Sequence, residues 1–226
     1  MPSERFVQLR DQLAALRSHL LPEAFDPTGL YEQPDAISTR ALGYRVLAHA
    51  EIETYFEDRA LEVANLAREA WERTRFASRV ALCLTSFSGK EMRSPPDTLQ
   101  APSDNKKKTW PELIDINVRL TPIWAAFHHF VRSDNNGVKE KNLLALLLPI
   151  GIDHGKLDPN LLADLDSFGA LRGAAAHSSS RTGVRQALNP ADELRRVESL
   201  LVGIEPLDAE IDALLLEIPK APRAIA

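Results

Sequence analysis

After Asn189-Pro190, apolar residues recur at steps of three and four: Leu194, Val197, Leu201, Ile204, Leu207, Ile211 and Leu214. At 3.6 residues per turn these positions share one helix face, and a face that long must be buried against other apolar helices. Helical periodicity dominates the rest of the chain as well. Phe6, Leu9, Leu13 and Leu16 line one side of a helix over about Glu4 to Leu20, ended by Pro22 and Phe25-Asp26-Pro27-Thr28-Gly29. Ile37, Ala41, Tyr44, Ala48, Ile52 and Tyr55 predict a long helix from about Ala36 toward Leu66, and a separate helix follows over about Ala70 to Phe87. No segment reads as a convincing strand and no internal repeat is present.

The remaining elements follow from punctuation. Ser88 to Lys108 loses the pattern and carries Ser94-Pro95-Pro96-Asp97, Ala101-Pro102-Ser103-Asp104 and Lys106-Lys107-Lys108. It reads as an exposed loop with a solvated charge run. Thr109-Trp110-Pro111-Glu112 resembles a capping box. Thr121-Pro122 is expected to break or restart that helix, which continues over Ile123 to Val131. Ser133 to Gly137 reads as a turn, and Lys139 to Leu148 as a short apolar helix stopped by Pro149 and Gly151. Asp158-Pro159 and Asn189-Pro190 are the same start signal, a side-chain cap followed by proline at the first helical position. Pro206 is expected to kink or split the final helix. The expected organisation is one all-α domain over 1–226, with an N-terminal helix and linker at 1–35 and an exposed loop insertion at 88–109.

The chain has 226 residues, 44% of them hydrophobic and 26% charged, which is ordinary for a soluble globular protein with a sizeable core. Its formal net charge is -5, so any nucleic-acid site must be a local basic patch. Cys83 is the only cysteine, which rules out an intramolecular disulfide and a multi-cysteine zinc site and suits a reducing cytoplasm. The N-terminus lacks the apolar core of a signal peptide, and the longest strongly apolar run, Leu143 to Ile150, is too short to span a membrane. A cytoplasmic protein with no membrane partner is the expectation.

The chemistry concentrates in Leu171-Arg172-Gly173-Ala174-Ala175-Ala176-His177-Ser178. Arginine is a permanent cation whose planar fork suits phosphate oxygens, and histidine exchanges protons near neutral pH. Metal-free RNA cleavage needs both functions: a base for the 2′-hydroxyl with an acid for the leaving oxygen, and positive charge on the crowded phosphate. His177 suits the first and Arg172 the second. Five positions apart on a strict helix they stand about 140° apart, so convergence requires the helix to end or distort near His177. Ser178-Ser179-Ser180-Arg181-Thr182-Gly183 offers such an ending. The plain alternative is that Arg172 caps carbonyls and His177 bonds a loop.

The longer segment, Leu165-Asp166-Ser167-Phe168-Gly169-Ala170 leading into Arg172 and His177, resembles the signature region of the HEPN superfamily, and especially its RiboL-PSP-HEPN branch. Three further stretches are similar to that branch: Arg45 to Tyr55, Leu148-Pro149-Ile150-Gly151-Ile152, and Asn189 to Glu193 with the helix that follows. The resemblance covers about Ala36 to Leu215. It implies an up-and-down helical bundle, here with additional short helices and one long loop. It also implies homodimers with two motifs facing across a cleft, and metal-independent endoribonuclease activity with no cofactor. Many members are prokaryotic toxins or defence effectors, so a cognate antitoxin or regulatory protein is a further implied partner. Arg172 and His177 map onto the motif's arginine and histidine. Gly173 stands where the family usually has a polar residue, which favours the alternative of a non-catalytic module binding RNA or a partner protein.

Other candidates are read more plainly. Arg181 and Arg185 follow the motif and are the expected RNA-phosphate contacts, each adding salt sensitivity to binding. His49-Ala50-Glu51 matches the short element of zinc deaminases, but the cysteine pair those enzymes need is absent, so both read as helix residues. Glu53 is expected on a solvated face or in a structural ion pair, and would support the dimer cleft if the bundle brings it near. His128-His129 point about 100° apart, one packing and the other exposed, so no metal site is expected there. His154 is expected at the surface, and Trp71, Trp110 and Trp124 in core or dimer contacts.

Overall fold

The computed structural model describes residues 1–88, 116–178 (the backbone alone for 174–178) and 188–219. Seven α-helices account for most of these residues, and no strand occurs among them. Helix α1 (Glu4–Leu20) begins where Ser3 Oγ accepts from the Phe6 amide, and it buries Phe6, Leu9 and Leu13 against α2.

Helix α2 (Pro34–Thr74) is the spine, 41 residues or about 60 Å long. Every other helix packs on it. Its buried side includes Ala41, Tyr44, Ala48, Ile52 and Tyr55, as the stripe predicts. It runs well past Leu66 and absorbs the first turn of the helix expected from Ala70. The stop is Arg75, whose left-handed φ of 58° no residue type in the sequence announces. Helix α3 (Arg79–Phe87) then starts from a Ser78 cap on the Ala81 amide.

Helix α4 (Ile116–His129) passes through Pro122 without a break, and helix α7 (Pro190–Leu216) passes through Pro206 without splitting. Both prolines are exposed, so water can take the hydrogen bond of the carbonyl each one frees. Beyond α4 one widened π-type turn, Phe130–Asp134, takes up Ser133 and Asp134 of the expected turn. Gly137 turns the chain at φ 120°. His128 and His129 are both exposed, contrary to expectation, because Trp124, Phe127 and Val131 occupy the buried stripe.

Helix α5 (Glu140–Leu147) buries Leu143, Leu146 and Leu147, and a short 3-10 turn, His154–Lys156, leaves His154 exposed. Helix α6 (Pro159–Ser178) starts from Asp158, whose carboxylate accepts from the Asn160 amide. Asn189 caps α7 in the same way on Ala191. Buried apolar residues from all seven helices form one core, to which the α7 stripe contributes Val197, Ile204, Leu207, Ile211 and Leu214. Trp71 and Trp124 are in that core. The expected loop at 88–109 with Lys106 to Lys108, apart from Ser88, lies outside the described residues, as do Trp110 and the Thr109–Glu112 capping box.

Two buried polar clusters cross this core. Asp208 is fully buried on α7 and accepts from the Ser3 amide, the Ser3 hydroxyl and the Tyr55 hydroxyl. Arg59 lies beside it, 1% exposed, and donates to Glu62 and Asp212. Arg45 makes a two-pronged ion pair with Glu193, both contacts at 2.7 Å. No helix among the described residues is long and apolar enough to cross a membrane.

Candidate functional site

Leu161, Leu165 and Phe168 bury one side of α6 against the bundle, leaving Asp166, Ala170 and Arg172 exposed. Gly169 is required by a close approach: a Cβ there would come within 2.8 Å of Lys139 Cγ at the start of α5. Beside Gly173, by contrast, a Cβ would meet no atom of another described residue within 4 Å, its chain neighbours and its own helix backbone aside.

One turn before Arg172, the Phe168 ring lies 5.7 Å from that of His49 on α2. His49 is 2% exposed, and its Nδ1 is 3.6 Å from Glu53 Oε2. Glu53 also accepts from the Gly137 amide, which makes it a structural partner fastening the turn after α4. Burial first, and then the positive charge of Arg172, push the His49 pKa down to about 4. At neutral pH His49 is therefore an uncharged, buried ring. It cannot reach a substrate, but it gives Arg172 a neutral neighbour rather than a competing anion. Among the described residues no carboxylate pairs with Arg172 and nothing hydrogen-bonds it. The planar fork of an exposed arginine suits an anionic ligand.

His177 belongs to the same helix, whose backbone remains helical to Ser178. The break that would let the pair converge within one chain is absent, and the two Cα positions stand about 140° apart around the axis. The side chain of His177, and all of Arg181 and Arg185, lie outside the described residues. Among those described, no three His, Cys, Asp or Glu side chains gather as a metal-binding group.

Sequence reasoning placed His49 correctly on a helix but missed its closeness to Arg172. The available signal was its spacing: His49 and Glu53 are four apart on the core side of α2. Its partner on α6 is a tertiary neighbour that spacing does not reveal. No family model, curated protein or solved structure matches this chain.

Proposed function

We propose that this chain is a metal-independent endoribonuclease of HEPN type, acting as a homodimer. Arg172 holds the scissile phosphate and His177 moves the protons. The 2′-oxygen attacks phosphorus as its proton leaves to the base, and the bond from phosphorus to the 5′-oxygen breaks as that oxygen gains a proton. The products carry a 2′,3′-cyclic phosphate, or its hydrolysed form, and a 5′-hydroxyl. Arg172 stabilises the charge that builds on the phosphate oxygens. Since α6 is unbroken between the two residues, the reading draws the arginine and histidine acting on one phosphate from two copies facing across a cleft. Control by a cognate antitoxin or regulatory protein belongs to the same proposal.

The observation that carries it is the exposed Arg172, without an acid partner among the described residues. A second reading, a non-catalytic module that binds RNA, is favoured by the unbroken α6 and by Gly173, where the HEPN motif usually has a polar residue. Purified protein incubated with total cellular RNA in excess chelator separates the two. The expected result is cleavage by the wild type, with 5′-hydroxyl ends, and none by His177→Ala. Products with 5′-phosphate ends, or a requirement for magnesium, would overturn the proposal. RNA retention without cleavage would support the second reading.

A further inference from the structure

A cavity of about 600 Å³ opens between the second half of α2, α4 and the widened turn after it. Along α2 its Arg68 is 19 residues from His49, or about 28 Å at the helical rise, so it is remote from Arg172. Its size is that of a small-molecule site. Leu61, Trp124 and Phe127 give it an apolar floor. Arg68, His128, His129 and Arg132 give it a basic rim, against which Glu72 is the one acidic residue among the described lining.

Two observations set this cavity apart from a chance surface hollow. The widened π-type turn delivers Arg132 and Ser133 to the cavity, a distortion found disproportionately at functional sites. Each arginine is also only partly engaged. Arg68 uses its Nε on Glu72 in a half-exposed pair of the weak surface kind, and Arg132 uses one terminal nitrogen on Asp58, which is 20% exposed. Among the described residues no other group pairs with either fork.

We propose that this cavity binds a small organic oxyanion, with its planar apolar body against Trp124 and Phe127 and its phosphate or carboxylate head on Arg68 and Arg132. His128 and His129 add donors at the rim. The site is separate from the proposed RNA site and does not depend on it.

Isothermal titration of the full chain with 1-naphthyl phosphate, 1-naphthoate, 1-naphthol and inorganic phosphate tests this. At least one naphthyl anion is expected to saturate the protein below about 1 mM, and the tighter of the two identifies the head group. Naphthol and inorganic phosphate are each expected to bind at least about tenfold more weakly, a loss of about 1.4 kcal/mol. The double variant Arg68→Gln/Arg132→Gln should weaken binding by a similar factor. Ala125→Phe, which fills the cavity from an exposed helix position, should do the same. Arg172→Ala should leave binding unchanged. No saturation by either naphthyl anion, equal binding by inorganic phosphate or naphthol, binding that survives both cavity variants, or loss in Arg172→Ala would overturn the proposal.

Discussion

Arg59 and Arg172 are the same residue type in opposite circumstances. Arg59 is buried and has carboxylates on several sides: Asp208 within 3.3 Å, and Glu62 and Asp212 in hydrogen bonds. Arg172 is exposed, and no described carboxylate pairs with it. The difference follows from solvation. A guanidinium removed from water costs several kcal/mol unless it is paired, so Arg59 is held in a network that joins α1, α2 and α7. A guanidinium in water carries no such cost and needs no partner. Arg59 is therefore part of the structure, while exposed Arg172 has no such bond to it among the described residues.

The largest expected effect breaks the buried side of this comparison. Asp208→Ala removes the acceptor of the Ser3 amide and hydroxyl and of the Tyr55 hydroxyl, and leaves Arg59 with one carboxylate fewer. Urea denaturation should show a loss of about 3–5 kcal/mol. A loss below about 1 kcal/mol would mean that Arg59 and Tyr55 find water instead, and that the network is not sealed.

A smaller effect tests the region between the two arginines. The folded-state pKa of His49 is about 4, below the ordinary value of 6.5. The unfolded chain therefore takes up the proton first as pH falls. The contribution of the neutral ring is complete above pH 6.5 and is lost progressively down to about 4. At full extent this is at most about 3 kcal/mol. His49→Gln should flatten the dependence of the urea midpoint on pH between about 6.5 and 5. An unchanged slope would show that the His49 ring is solvated in the folded chain.

Much of the helical framework was legible because an apolar stripe and a cap-proline pair are local signals. Glu4 to Leu20, the Asp158 and Asn189 starts and the α7 stripe all follow from them. What was illegible depends on tertiary surroundings. Arg75 ends α2 in a left-handed conformation with no glycine, asparagine or proline beside it to announce the stop. Pro122 and Pro206 are tolerated because they face water, and facing is a property of the bundle. No local signal marks Asp208 and Glu193 as buried, yet both lie buried against arginines that precede them by about 150 positions in the chain. At the candidate site, the residue types at 172 and 177 could be read, but the continuity of α6 and the neutral His49 beside Arg172 could not.

The most direct test of the account is Arg172→Ala, examined for stability and for RNA cleavage in excess chelator. An exposed arginine with no carboxylate partner among the described residues should be removable with a change in unfolding free energy within about 0.5 kcal/mol. If the same guanidinium stabilises the phosphate during cleavage, activity should fall at least about 100-fold. Unchanged cleavage, or a stability loss of about 2 kcal/mol or more, would contradict the account, because Arg172 would then belong with Arg59 among the residues that hold the fold together.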